Sequence, residues 1–376
     1  MGSTVKSDAE EFWRHWMENK VLKVEWLLTR KCDLHCSYCK IRDPRSLIGE
    51  ELSFSQVIDG VNVIDRMFPR VPIVFFGGEP AVLDWLPDLV AYCESIGLKY
   101  AIISNGRRAL RDSDFFERLI EAGISNWSVS IDSLKGLSRG DAEIKSRTGF
   151  SSLLKFRSRG VRDLVSCITV TKDNIEEVPS IIETLSRNGI WGIVTPLQVG
   201  DDTFEYSGHV PALQETRPEV VDRIAGVLYD MAKSGEFLMH NAPEYFLHWK
   251  LYFIQQDWKC SRKSCITIDA DGSLKRCVDR KLGLEKFSVL STHCLYMAES
   301  VALALEDNWE DYCEALKEPP ACKGCFWDPA FETSMRASTW ETSSAVDSFR
   351  HELTDAQFNR LKPETQKWWL EGVEDD

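Results

Sequence analysis

The chain has 376 residues, 43% apolar and 28% charged, which is the composition of a globular protein able to bury a sizeable core and to hold more than one domain. A formal charge of −14 argues against a surface that tracks nucleic-acid phosphates, although a local basic groove stays compatible with it. No apolar run is long enough to span a bilayer, which argues against a membrane partner. The N-terminal residues Met1 to Glu11 lack the apolar centre of a signal peptide. Twelve cysteines without an export signal point to a reducing, cytoplasmic setting and to thiols used for metals or chemistry rather than disulfides.

In chain order, residues 1–22 are expected to form a helical segment. From residue 23 to about 200, short β-branched runs then alternate with amphipathic stretches. The strand-like runs are Lys23–Leu28, Val71–Phe76, Lys99–Ser104, Trp127–Asp132, Leu164–Thr171 and Gly192–Val199. Between them, Leu86, Leu89, Val90, Cys93 and Ile96 share one helical face, and Pro87 suits a first turn. Asp114-x-x-Glu117 and Asn174-x-x-Glu177 resemble capping boxes, and Gly97, Gly123 and Gly189 sit where helices would stop. Strand–helix units in succession imply parallel strands with right-handed crossovers, in an open sheet or a curled one. Past residue 206 the alternation fails. Pro218–Ser234 reads as a helix, and an aromatic link over Pro243–Trp258 leads into a cysteine-bearing region at 259–329. A polar, helical tail at 330–376 is interrupted by Pro363. The expected units are therefore 1–22, 23–205, 206–258, 259–329 and 330–376.

Cys32, Cys36 and Cys39 are spaced C-x3-C-x2-C directly after the first strand. Three thiolates on one short loop hold three irons of a four-iron cluster and leave the fourth open, because no further Cys comes before Cys93. Structural zinc with His35 as fourth ligand is the other chemistry open to the triplet. Gly77-Gly78-Glu79-Pro80, Ser104-Asn105-Gly106 and Ser130-x-Asp132 end the next three strands, where α/β barrels and open sheets place their active sites. The glycines admit a close backbone approach, Glu79 offers a carboxylate beside it, and Ser and Asn can bond sugar hydroxyls. Ser130-x-Asp132 reads equally as a strand-end cap.

At these residues the chain resembles the radical S-adenosylmethionine superfamily over roughly 23–200. The resemblance implies a partial (β/α)6 barrel of TIM type. It also implies a [4Fe–4S] cluster on Cys32, Cys36 and Cys39, with S-adenosylmethionine chelated by the open iron. Glu79 is then the ligand of the amino group, Gly77 and Gly78 line its approach, and Tyr38 lies near the adenine. Ser104, Asn105, Ser130 and Asp132 match positions facing the ribose or the methionyl end. Arg147 either binds the methionyl carboxylate or is a solvated loop cation. The implied chemistry is reductive cleavage of the sulfonium to a 5′-deoxyadenosyl radical that abstracts hydrogen from a substrate C–H bond. An electron donor such as flavodoxin or ferredoxin is the implied partner.

A second cysteine set follows. Cys260 precedes Gly272 and Cys277 in a C-x11-G-x4-C pattern, Asp269 to Gly272 reads as a hairpin turn, and Cys322-x2-Cys325 adds two thiols. Four ligands can close a cluster or a zinc site. Here the chain is similar to the SPASM extension and its shorter form, twitch. With no Cys after Cys325, the pattern implies one auxiliary [4Fe–4S] cluster on Cys260, Cys277, Cys322 and Cys325. Cys265 is an alternative ligand, a substrate-facing thiol or hairpin packing. Cys93 and Cys167 fall on apolar faces and are expected to be buried packing, and Cys294 and Cys313 to be structural. Trp249, Trp258 and Trp327 are candidate cavity walls. Asp201, Asp202, Glu205 and His209 read as a solvated acidic loop, and no catalytic acid or base is assigned.

Three functions compete: radical chemistry on a peptide or protein side chain (oxidation, crosslinking or epimerisation), the same chemistry on a small molecule or nucleobase (dehydrogenase, epimerase or isomerase), and a non-catalytic iron–sulfur or zinc protein. The stretch before Cys32 is too short for a winged-helix leader-peptide domain, which weakens the peptide reading without excluding it.

Overall fold

The structure is a computed structural model that describes residues 23–36, 39, 50–68, 71–134, 141–197, 216–247, 249, 265–272, 274–275, 355–363 and 366. Eight strands form one sheet: β1 (Lys23–Thr29), β2 (Ile73–Gly77), β3 (Tyr100–Ser104), β4 (Asn126–Ser130), β5 (Asp163–Val170), β6 (Trp191–Pro196), β7 (Cys265–Ile268) and β8 (Leu274–Lys275). Their order is β6-β5-β4-β3-β2-β1-β7-β8. The first six pair in parallel in sequence order, the arrangement of a partial (β/α) barrel. The helices crossing between them are α1 (Phe54–Met67), α2 (Leu86–Ser95), α3 (Arg107–Arg111), α4 (Ser113–Glu121), α5 (Asp141–Arg157) and α6 (Val178–Arg187). Beyond β6 come α7 (Pro218–Ser234), α8 (Pro243–Leu247) and α9 (Asp355–Arg360).

The period-2 pattern of each strand decides which side meets the helices. On β1, Val24, Trp26 and Leu28 enter the main core with Val57, Val61 and Ile64 of α1. Gly60 is required there, because a Cβ would overlap the Trp26 ring. Ile73 and Phe75, Tyr100 and Ile102, Trp127 and Val129, and Leu164 and Ile168 continue the same layer on β2 to β5. Apolar burial of this extent is the main stabilising force of such a sheet. The opposite face is concave and more open. Val74 and Phe76 on β2, Cys167 and Thr169 on β5, and Ile193 and Thr195 on β6 are only partly buried.

Gly97, Gly123 and Gly189 follow their helices with φ of 67°, 80° and 69°, as the stop positions predict. The two expected capping boxes do not form. Asp112, not Asp114, caps α4, its carboxylate accepting from the Phe115 N–H at 3.0 Å. Asn174 instead accepts from the Thr171 N–H at 2.7 Å and donates to the Asp132 and Thr169 carbonyls, tying the β4 and β5 ends together.

The predicted hairpin is present, with Thr267 opposite Lys275 and Gly272 at φ 78° in its turn. It continues the barrel sheet, because β7 pairs in parallel with β1 along Lys23↔Cys265 to Trp26↔Ile268. Its turn lies at the cysteine-loop end of β1. The Leu52 N–H donates to the Ala270 carbonyl at 2.8 Å, and Arg30 grips Asp269 through Nε at 3.0 Å and Nη2 at 2.5 Å. Both side chains of that fork are buried.

Candidate active site

The end of β1 is clamped from three sides. Glu51 accepts from the Thr29 hydroxyl at 2.9 Å and the Arg30 N–H at 2.8 Å, and it pairs with Lys31 at 3.0 Å. Burial opposes its charge, but these donors outweigh it and hold the carboxyl below its ordinary value. From the hairpin side comes the Arg30–Asp269 fork. From β2 come two backbone bonds, Gly78 N–H to Thr29 O at 2.7 Å and Glu79 N–H to Lys31 O at 2.8 Å.

Gly77 and Gly78 are needed at that crossing. A Cβ on Gly77, whose φ is 150°, would overlap the Thr29 carbonyl, and one on Gly78 would overlap that of Lys31. The close approach these glycines allow is therefore to the chain's own cysteine loop, where the sequence suggested a ligand.

Cys32, Cys36 and Cys39 are half-buried on this loop and form no disulfide. The Cys39 N–H closes a turn onto the Cys36 carbonyl at 3.1 Å. Burial, and to a lesser degree Glu79 and Cys39, push the Cys32 thiol up to about 11, against the Leu34 N–H that donates to its sulfur. Thiols in that state become good ligands once a cation displaces their protons. His35 is exposed. Among the described residues no three His, Cys, Asp or Glu side chains form a preformed metal cage. Tyr38 lies outside the described residues, as do Cys260, Cys277, Cys322 and Cys325.

Glu79 is buried beside this loop and accepts three hydrogen bonds. They come from the Ala81 N–H at 2.9 Å, the Ser104 hydroxyl at 2.6 Å and the Asn105 N–H at 2.6 Å. Burial dominates and raises its carboxyl to about 7. Ser104 and Asn105, expected to face a ribose, are engaged with protein here. Asn105 Nδ2 also donates to Asp33 at 2.7 Å, and Arg107 holds the same loop residue through its carboxylate and its carbonyl. Asp33, Arg107 and Glu51 were not legible as site residues. The only signal was Asp33's place between two loop cysteines.

Ser130 ends β4 half-buried. Asp132 is buried and pairs with Lys145 of α5 at 2.9 Å. Burial works against the Lys145 charge, but Asp132, with Cys36 and Cys39 in electrostatic range, raises its proton affinity. Lys145 is thus a cation in electrostatic range of Cys36 and Cys39, as Arg107 is for Asp33. Arg147 is exposed on helix α5, so the loop expected there is a helix. Cys167, expected in the core, is half-buried on the concave face. Burial pushes its thiol up to about 11, partly offset by Lys145 and Lys23. Cys93 is core, as expected, and Trp249 is core rather than cavity wall, packed against Tyr245 and Phe246.

The family model described as the Radical SAM superfamily matches residues 26–185, a span that contains every anchor just described except Asp269. This segment is a radical SAM domain. The chain is 29% identical over 179 residues to an Fe-coproporphyrin III synthase of Methanosarcina barkeri, covering 44% of this chain and 41% of that relative, so less than half of the relative's length is spanned. It is 21% identical over 310 residues to a GTP 3′,8-cyclase of Pseudomonas aeruginosa, 77% of this chain and 92% of that protein. The crystal structure of Streptococcus suis SuiB bound to S-adenosylmethionine superposes with a TM-score of 0.55 at 14% identity, over 80% of this chain and 72% of SuiB, a likeness of fold.

The radical SAM domain fits the groups its family carries, a [4Fe–4S] cluster and S-adenosylmethionine. Three thiols share a loop pinned on three sides, and a buried carboxylate with no cationic partner among the described residues stands beside it. Among the described residues no helix is long and apolar enough to cross a membrane.

Proposed function

We propose that this protein is a radical S-adenosylmethionine enzyme whose Cys32, Cys36 and Cys39 hold the cluster and whose Glu79 receives the amino group of S-adenosylmethionine. With the cluster and S-adenosylmethionine bound, the site would supply one-electron reductive cleavage of the sulfonium, with the electron drawn from an external donor, and hydrogen abstraction from a substrate C–H bond. The chain's own residues position that event. Glu51, Asp269 and the two glycines fix the root of the cysteine loop, and Asp33, Asn105 and Arg107 fix its first turn. Ser104 and the Asn105 N–H aim the Glu79 carboxylate, and a cationic amino group beside it would keep it ionised. Ser130, Asp132 and Tyr38 complete the proposed adenosyl and methionyl contacts, with Lys145 rather than Arg147 as a nearby cation.

The observation that carries this reading is the backbone crossing of Gly78-Glu79 on Thr29–Lys31, which fixes the carboxylate next to the cysteine loop. It is tested by anaerobic reconstitution with iron and sulfide, reduction with dithionite and assay of 5′-deoxyadenosine. Wild-type protein should form it, and replacement of all three loop cysteines by Ala should abolish it. Absence of product from iron-loaded wild type would overturn the reading.

Of the substrates weighed from the sequence, a compact molecule takes precedence over a peptide or protein side chain. The names of the relatives at 29% and 21% identity denote an iron-coproporphyrin and GTP, both compact nitrogen heterocycles. The reading also includes one auxiliary cluster on Cys260, Cys277, Cys322 and Cys325, supported by their spacing. Two clusters would bring about eight irons per chain and one about four. A flavodoxin or ferredoxin in a cytoplasmic setting would supply the electrons.

A further inference from the structure

Alternation along β1 puts Lys23, Glu25, Leu27 and Thr29 on the concave face, opposite the helix-packed Val24, Trp26 and Leu28. Glu25 is only 6% exposed. Its Oε1 pairs with the Lys23 ammonium at 2.7 Å, while its Oε2 is buried and accepts no hydrogen bond among the described residues. A carboxylate offers acceptor sites on both oxygens, and leaving a buried one unused is unfavourable. Nothing on the neighbouring strands supplies the missing donor: Glu25 is flanked in register by Val74 on β2 and by buried Thr267 on β7, the strand contributed by the hairpin. By the same alternation the pair lies on the sheet face that also carries Cys167 and Thr169 of β5, away from the helix layer. Val74 beside Glu25 and Thr169 on β5 are only partly buried on this face, whereas Leu27 and Thr29 are buried and Ile193 packs on a small cluster of Val165, Trp191 and Leu238.

A buried ion pair with one oxygen idle is a poor structural element, since apolar residues of similar volume stabilise a sheet at least as well. It is a good receptor for a donor from outside. We propose that Glu25, held by Lys23, is the substrate-anchoring residue of the concave pocket, and that its free oxygen takes a protonated amine or a ring N–H of the substrate. This rests on the compact-substrate reading above and adds a chemical class and a size. Glu25 lies four residues below Thr29, so anchor and cysteine-loop end are about 13 Å apart along the strand. The substrate would be a molecule of that reach, with a nitrogen donor at one end and the reacting C–H at the other. A carboxylate–ammonium contact in a water-poor pocket is among the stronger neutral-pH recognition bonds.

The test uses reconstituted holoprotein with S-adenosylmethionine and no reductant. Benzylamine and benzimidazole serve as nitrogen probes and benzyl alcohol as the oxygen control, with binding followed by ligand-observed NMR. Both nitrogen probes should bind wild type more tightly than the alcohol does, and Glu25→Gln should weaken them by at least about tenfold, the worth of one charge-assisted bond. Lys23→Met, which frees the second carboxylate oxygen, should strengthen benzylamine binding and so guards against a variant that merely misfolds. Equal binding of amine and alcohol, or nitrogen-probe binding that Glu25→Gln leaves unchanged, would overturn the proposal. Because no reductant is present, this readout is separate from 5′-deoxyadenosine formation, on which the proposed function stands or falls.

Discussion

Glu79 concentrates the energetic tension of the site in one side chain. Its carboxyl sits at about 7 in the folded chain against an ordinary 4.5, because burial outweighs three donated hydrogen bonds. Between those two values the folded state holds a proton that the unfolded state has lost. Glu79 therefore contributes stability that is complete below about pH 4.5 and disappears as pH rises to about 7, at most about 3 kcal/mol in all. Denaturant titrations of apo protein at pH 5 and pH 8 should show this fall, and Glu79→Gln should remove Glu79's share of it. In holoprotein the same variant should lose S-adenosylmethionine binding, read by equilibrium dialysis. Retention of wild-type affinity would take Glu79 out of the site. The two glycines before it make a sharper steric prediction. Gly78→Ala forces a methyl group into the Lys31 carbonyl, so at least about 2 kcal/mol of stability and most of the iron loading should be lost. Gly97→Ala meets open space, but φ is 67° there, so it should lower stability by only about 1 kcal/mol and leave iron loading intact.

At the scale of elements, strands and crossovers were readable because the core-facing residues of the strands alternate along the chain and α2, α4 and α6 each end at a glycine that tolerates positive φ. The hairpin was readable from Asp269–Gly272 turn chemistry. Its docking on β1 was not, because parallel pairing between segments more than two hundred residues apart leaves no local pattern. The same limit hid the Arg30–Asp269 fork and the Lys145–Asp132 pair, both built from side chains on different elements. Cys167 was misplaced for a simpler reason. On a strand with Leu164, Val165 and Ile168 around it, neighbour composition does not tell which of two faces is the filled one. The fork has a measurable consequence. Asp269→Ala leaves a buried guanidinium without its partner and should destabilise the protein by about 3–5 kcal/mol, whereas Arg30→Met with Asp269→Leu should recover most of that loss. Chemical denaturation of the three proteins separates the outcomes, and equal losses in single and double variants would mean that the hairpin docks by other contacts.

Across the whole molecule, the residues that matter are distributed by the sheet. Its strand ends carry the cysteine loop, Glu79, Ser104, Asn105, Ser130 and Asp132, and its concave face carries the Lys23–Glu25 pair some four residues deeper. The sequence showed the first set because motif and strand end coincide. It did not show the second, because a Glu inside a strand is indistinguishable from one that faces solvent until the fold is known. Everything in this arrangement depends on one iron of the loop cluster being left for S-adenosylmethionine. The most direct measurement is the electron paramagnetic resonance spectrum of the reduced cluster, titrated with S-adenosylmethionine carrying a 15N-labelled amino group. The account predicts a spectrum that shifts on addition, with hyperfine coupling to the label that Glu79→Gln weakens. A cluster whose spectrum is indifferent to S-adenosylmethionine, or a loop that binds no iron, would contradict it.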